Sequence, residues 1–564
     1  MSELAARIAQ LSPEKRALLT LRLQQKSASA DTDTISRRTI FSPAPVSFAQ
    51  QRLWFLDQLE PGSPVYNIPA AVQLRGPLNV PALQRSLDAL IARHETLRTT
   101  FALVDGQPVQ VIALEARVAL SLHDLREQTP AAQATTVAQW ARTEARTPFD
   151  LAQGPLLRAT LLRLADDEHV LLLTLHHIIT DGWSMGVLVR ELATLYAHGG
   201  QATALDPLPL QYADYAAWQR QQLESTALET QLAYWRERLT GAPPLLELTT
   251  DRPRPPVQSY CGATFHFELP ANLTERIAVL CRQEEATPFM ALLAAFQVVL
   301  ARYSSQDDFC IGTPIANRTR AEVEGLIGFF VNTLVLRADL SSNPSFRDLL
   351  QRVKMAALGA YAHQDVPFET LVEQLQPQRN LSYNPLFQVM FVFQNTPAEQ
   401  LRLPGLDMRV LPVESGVAKF DLTLIMEERP DGLHAALEYN TDLFDETTIA
   451  RMADHFTTLL DHAITEPDTP IGGLQLLTEA ERRQLLVEWN DTAAAFPADR
   501  CAHHLFEAHV ARDPDAPALT FAGTTLSYGE LNRRANQLAH FLRKRGVGPE
   551  TLVGICIERS LEMI

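Results

Sequence analysis

An α/β fold with two sheet-cored lobes is what this sequence predicts. Strand-like runs such as HVLLLTLHHI (169–178) and GFFVNTLVLRADL (328–340) alternate with helical patterns such as VPALQRSLDALIARHETLRTTF (80–101) and VLVRELATLYAHG (187–199). Such a mixture packs as helices on sheets. At 564 residues the chain exceeds one ordinary core, which gives about three to four domains. The texture changes near residue 475, where a fresh α/β pattern begins.

Residues 1–41 read as a helical segment and linker. Positions 3–25 carry apolar side chains at helical spacing, with Ser12-Pro13 as a cap-like start for a second short helix. SASADTDTISRRT (27–39) is a polar linker. The first lobe spans 42–210 and the second 211–475. LPLQYADYAAWQRQQL (208–223) begins a helix connecting them, and FDETTIARMADHFTTLLDHAI (444–464) closes the second. TEAERRQLLVEWN (478–490) predicts a short helix inside a linker, 476–502. From 503 to 564 the pattern is a strand, a helix stopped by Gly546 and another strand. About 60 residues with open βαβ edges cannot bury a normal core, so this piece is expected to be the truncated start of a domain.

Composition excludes several classes. Apolar residues make up 46% and charged residues 20%, and the formal charge is −17 without a run of five like charges. That argues against nucleic acid or an anionic membrane as a partner. The N-terminus lacks the basic start, apolar run and cleavage site of a signal peptide. No stretch approaches the roughly 20 apolar residues of a spanning helix. Cys261, Cys281, Cys310, Cys501 and Cys556 are scattered. They give neither metal-ligand spacing nor a disulfide framework, so a cytoplasmic location is expected.

The chemistry concentrates in EHVLLLTLHHIITDGWSMGVLVREL (168–192). Period-two alternation puts Leu171, Leu173, Leu175 and His177 on one face and Leu172, Thr174 and His176 on the other. At most one histidine therefore serves a given site. Asp181 and Gly182 fall in the turn, and a helix beginning near Ser184 aims its free N–H groups back toward it. This arrangement suits a reacting carbonyl, whose oxyanion needs donors and whose nucleophile needs a proton acceptor. A packing histidine, or zinc held by His177 and Asp181, fits the same residues; for zinc no third ligand is nearby in sequence. No G-x-S-x-G elbow and no activated cysteine setting is present.

HHIITDG resembles the HHxxxDG motif of nonribosomal peptide synthetase condensation domains. Further blocks similar to that family follow in its order: SFAQQRLWFLDQLEPGSPVYNIP (47–69), RHETLRTTF (93–101), YADYAAWQR (212–220), IGTPIANRTRAEVEGLIGFFVNTLVLR (311–337), AHQDVPFETLVEQL (362–375) and RNLSYNPLFQVMFVFQN (379–395). LSYGELNRRANQLAHFLRKRGVGPE (526–550) resembles the first block of an adenylation domain, without its SGTTG-like phosphate loop or any GGxS-type carrier site: Gly472-Gly473 is followed by Leu-Gln. The resemblance implies a V-shaped pseudo-dimer of two chloramphenicol-acetyltransferase-like lobes with a tunnel between them. It implies amide-bond formation, in which the α-amine of an aminoacyl thioester on a downstream carrier protein attacks a peptidyl or acyl thioester on an upstream carrier. No cofactor is held by the chain; phosphopantetheine arms of the partner carriers bring the substrates. The adenylation domain of the same module is the further partner. The blocks look most like those joining two L-residues, and Met1 suggests a donor arriving in trans.

Carried onto this sequence, the resemblance makes His177 the base or the positioning group for the amine. Gly182 gives the substrate arm room and an N–H. Asp181 is expected to brace the turn by pairing with an arginine, Arg98 first and Arg318 second. His176 is expected to be structural. Trp183, Ser184, Asn317, Arg318 and Asn332 are assigned to the tunnel and to the loop bridging it. An epimerisation domain and a non-catalytic recruiting domain of the same fold are the alternatives. Heterocyclisation domains carry an aspartate pattern that is absent here.

Overall fold

In the computed structural model, which describes residues 34–222, 226–375, 380–394, 403, 405–429 and 431–564, the leucine-rich run forms the strand Glu168–His176. Its alternation sorts side chains onto two cores, as period two demands. Leu171, Leu173 and Leu175 meet the helices Val80–Arg93 and Gly182–Ala197. Val170 and Leu172 meet Ala141 of the helix Pro130–Arg146 on the opposite face. The strand is central, pairing antiparallel with Asn67–Arg75 and with Leu157–Arg163. Leu120–Asp124 runs parallel to the latter at one edge. The other edge is Asp407–Leu411, contributed from far along the chain.

The second lobe has a six-stranded sheet in the order Asn332–Asp339, Asp308–Ile315, Val389–Gln394, Leu422–Arg429, Gly432–Asn440, Gly262–Glu268. Val389–Gln394 runs parallel to both neighbours and the other pairs are antiparallel. The helix Pro288–Ser304 buries every residue from Met290 to Leu300. A helix apolar all round belongs inside, and this one is packed between Phe346–Ala362, Glu446–Thr465 and Ala271–Gln283. No single helix among the described residues is long and apolar enough to cross a membrane. The helices expected over 3–25 and the linker up to residue 33 lie outside the described residues.

Three elements differ from the sequence expectation. The helix of 80–101 stops at Arg93; Glu95–Arg98 is a 3-10 turn and Thr99–Val104 a strand paired with Gln107–Ile112. The β-branched Thr99-Thr100 pair fits a ladder better than a last helical turn. The strand of 328–340 begins only at Asn332, because residues 328–331 spend their backbone groups on the turn described below. Residues 551–557 form no strand. They belong to a second unit, Glu479–Ile564, in which Pro517–Phe521 and Thr524–Ser527 pair only with each other. That unit also contains the helices Ala502–Arg512 and Tyr528–Lys544, the latter capped by Ser527 and followed by Gly546 at φ +89°.

Candidate active site

The central strand ends at His176, and the next residues tighten into the 3-10 turn His177–Ile179. The His177 amide donates to the Tyr66 carbonyl (2.8 Å), and Gln50 Nε2 donates to the Ile178 carbonyl (3.2 Å). These bonds fix the turn against the first lobe. His177 Nδ1 lies 2.8 Å from the Thr180 carbonyl. A carbonyl only accepts, so the proton sits on Nδ1 and Nε2 keeps its lone pair. One side of the ring packs on Phe329 (centroids 4.6 Å apart), and the side chain stays partly exposed. Burial, reinforced by the nearby Lys419 charge, pushes its pKa down to about 3. The imidazole is thus neutral at physiological pH, a hydrogen-bond acceptor held in one tautomer. The ordinary histidine value is near 6.5.

His176 is oriented differently. Its Nδ1 accepts from the Ile178 amide (3.1 Å), and its ring sits edge-on to Phe149 at 6.1 Å. It is fully buried, and desolvation pushes its pKa also to about 3. It is a packing residue with a local capping bond.

Asp181 is the N-cap of the helix Gly182–Ala197, which therefore starts two residues before the expected Ser184. The carboxylate is inaccessible. One oxygen accepts from the Ser184 amide (2.7 Å) and faces Arg318 Nη2 (3.3 Å); the other accepts from the Phe330 amide (2.9 Å). Both oxygens are engaged by protein donors and the carboxylate is inaccessible, which speaks against the zinc reading of His177 with Asp181. A negative charge at a helix N-terminus is also favourable. The arginine partner is Arg318, and the first-choice Arg98 is corrected: its guanidinium donates to the Ala113 carbonyl and lies over Phe41. Arg98 is one residue from the strand that leads away from the turn, whereas Arg318 arrives from the second lobe.

Arg318 is a hub. Nη1 donates to the carbonyls of Val323 (2.6 Å) and Leu326 (2.7 Å), Nη2 to Ser184 Oγ (2.7 Å), and the guanidinium stacks 4.0 Å from the Phe330 ring. Ser184 Oγ in turn bonds the carbonyl and amide of Gly328, and Trp183 Nε1 donates to the Glu324 carbonyl (2.9 Å). Trp183 and Ser184 thereby fasten segment 318–330 of the second lobe onto the turn of the first. Asn332 holds the approach to the helix Phe368–Leu375. It donates to the carbonyls of Gln364 and Val366 and accepts from the Phe368 amide. Asn317 adopts a left-handed φ of 52° and reaches the Tyr215 hydroxyl at 3.5 Å. These polar residues hold loops. At Gly182 a Cβ meets nothing within 4 Å, so open space adjoins the helix start.

Gly328 has a steric reason to be glycine. A Cβ there falls 1.9 Å from the Tyr212 ring, and Tyr212 is pinned by its hydroxyl to the Phe329 carbonyl (2.6 Å) and Ser47 Oγ (2.8 Å). Gly328→Ala is expected to cost about 1–3 kcal/mol by overpacking, read as a lower urea midpoint. An unchanged midpoint contradicts the close approach.

Sequence reading missed several residues around His177. Phe329 walls the ring. Tyr66 binds the His177 amide through its carbonyl, and its own ring is crossed by Lys419 Nζ at 5.0 Å. Arg52 pairs with Glu369 across the lobes at 3.5 Å and lies over Phe368. The one available signal was a lysine and a glutamate interrupting apolar runs, in VAKFDL (417–422) and HAALEYN (434–440). In the second unit, Cys501, His503 and His504 place ligand atoms within 4.8 Å of one another on an exposed surface. Counting cysteines alone did not reveal that cluster.

A family model described as "Condensation domain" matches residues 42–486, and one described as "AMP-binding enzyme" matches residues 506–564. The chain belongs to the condensation domain family of nonribosomal peptide synthetases and continues into the start of an AMP-binding domain. It is 48% identical over 555 residues to a linear gramicidin synthase of Brevibacillus parabrevis, covering 98% of this chain and 11% of that protein. The chain thus spans a small fraction of the length of such relatives. Among solved structures, the X-domain from teicoplanin biosynthesis superposes with a TM-score of 0.72 at 31% identity, over 79% of this chain and 100% of that one. A four-domain nonribosomal peptide synthetase bound to AMP and glycine gives 0.77 at 25%, over 91% and 40%.

Proposed function

We propose that the chain forms an amide bond between two carrier-bound substrates. The α-amine of an aminoacyl thioester attacks a peptidyl or acyl thioester, the two being presented to one site by two carrier proteins, with an L-residue on each side. The observation that carries this reading is His177: a neutral imidazole with Nδ1 tied to Thr180 and Nε2 free, set on a turn clamped by a buried Asp181–Arg318 pair. A free amine needs such an acceptor to orient its lone pair at the carbonyl. Holding both thioesters in one site makes the reaction effectively intramolecular, and that is its largest source of rate. Gly182 leaves room for an arm beside the helix start. The phosphopantetheine arms belong to the carriers, and the adenylation domain of the module supplies the acceptor.

The test uses donor and acceptor carriers loaded with aminoacyl thioesters and follows the acceptor's mass. Transfer of the donor acyl group onto the acceptor is expected; its absence with several cognate pairs sinks the reading. One observation favours a second reading, a recruiting domain: the similar teicoplanin X-domain has been solved in complex with OxyB. Carrier binding without any product supports that alternative.

A further inference from the structure

The amine has its acceptor in His177, but the thioester oxygen, which gathers negative charge as the amine attacks, needs a donor. Lys419 lies on the leg of chain that returns from Asp407–Leu411, in the first sheet, to Leu422–Arg429 in the second. Its backbone is pinned. The neighbouring Ala418 amide donates to Tyr260 (3.0 Å), and the Lys419 carbonyl accepts from Gln258 Nε2 (3.1 Å) and Asn384 Nδ2 (2.9 Å). Gly262 allows the close passage, since a Cβ there falls 2.4 Å from the Ala418 amide nitrogen. The side chain crosses to the first lobe and sets Nζ 5.0 Å from the centre of the Tyr66 ring, the residue whose carbonyl holds the His177 amide.

Among the described residues this ammonium makes no hydrogen bond and no ion pair. The other cations of the site are engaged, Arg52 with Glu369 and Arg318 with Asp181. Its counter-charge, Glu438, faces it without forming an ion pair. A poorly compensated buried charge is costly, and its presence beside the imidazole acceptor leaves the ammonium able to meet an anionic or strongly polar ligand group.

We propose that Lys419 is a catalytic residue whose ammonium receives the donor thioester's carbonyl oxygen as it becomes an oxyanion. The inference rests on the condensation reading above. As the C–N bond forms, the carbonyl π pair moves onto oxygen, opposite Lys419. When the intermediate collapses, the C–S bond breaks, the donor arm leaves as thiolate, and the ammonium is unchanged. The proton shed by nitrogen passes by way of His177 Nε2 to that thiolate or to water. A fixed donor acts mainly on the transition state, so it raises kcat more than it lowers KM.

The groups facing Lys419 set its titration. Burial lowers its pKa, Glu438 on the strand Gly432–Asn440 opposes this, and Arg52 on the helix Phe48–Leu59 adds to it. His176 and His177 are neutral above about pH 3. Tyr66 and Tyr260 ionise above the ordinary tyrosine range, and Glu369 is held by Arg52. The alkaline loss of activity should therefore come earlier than for a solvent lysine.

The experiment measures single-turnover condensation between loaded carriers from pH 7 to 10 for the full chain, Lys419→Met and Lys419→Arg. Thermal melting and carrier affinity are measured alongside. Lys419→Met is expected to lose about 10²–10³-fold in rate with both unchanged. Lys419→Arg should keep most of the rate and lose the alkaline fall, since guanidinium stays charged. Wild-type rate in Lys419→Met, a loss matched by unfolding, or the same alkaline fall in Lys419→Arg each overturns the proposal. An inactive wild-type chain instead removes the condensation reading itself.

Discussion

Replacing His177 by alanine is expected to slow amide formation by about 10²–10⁴-fold, the usual range for a positioned proton acceptor, while the melting temperature changes little. The side chain is partly exposed, and its loss leaves one carbonyl, that of Thr180, to be met by water. The finer question is how the imidazole acts. With a pKa near 3 it is too weak a base to hold the proton of an ammonium substrate at pH 7, so under the proposed reaction it is expected to orient the already neutral amine rather than to deprotonate an ammonium. The sign follows directly. Depression of the pKa favours the neutral form, so His177 stays neutral from pH 8 down through pH 5, and the folded state alone resists protonation below about 6.5. Imidazole nitrogen shifts assigned by comparison with His177→Ala should therefore show no titration across that interval. A titration midpoint near 6.5 restores the general-base account and removes the positioning one.

Much of this site was legible in the sequence, and the misses share a cause. Alternating leucines located the strand, because period two is a local property. His177, however, lies beyond its end in the 3-10 turn, so it is that turn and not strand alternation that separates it from His176. The turn after the strand was misjudged by two residues: Asp181 caps the helix, and a capping carboxylate is locally indistinguishable from a catalytic one. The Arg98 preference failed for a different reason. Nothing local distinguishes the two arginines, and the partner comes from 137 residues further on. The exchange of Asp407–Leu411 into the first sheet was equally invisible, since a five-residue strand carries no mark of which sheet it joins. That excursion is what brings Lys419 back past Tyr66, so the residues missed around His177 are those supplied by long-range topology.

Asp181→Ala is expected to be strongly destabilising, by about 3–5 kcal/mol from a total that for a typical domain is only about 5–15 kcal/mol. The loss has three parts that act together. The Ser184 amide loses its cap, the Phe330 amide loses its acceptor, and the Arg318 guanidinium is left buried without a counter-charge. Asp181→Asn separates them: an amide oxygen still accepts from Ser184, but the charge is gone, so an intermediate loss is expected. The double change Asp181→Ala with Arg318→Met should be less destabilising than the sum of its parts, because removing both partners avoids the stranded cation. Urea unfolding of wild type, the two single variants and the double variant measures this coupling. If Asp181→Ala proves as stable as wild type and yet inactive, the carboxylate acts on substrate and not on Arg318. Activity lost in step with stability means that the aspartate of HHIITDG serves the reaction by keeping segment 318–330, and with it Phe329, seated against His177.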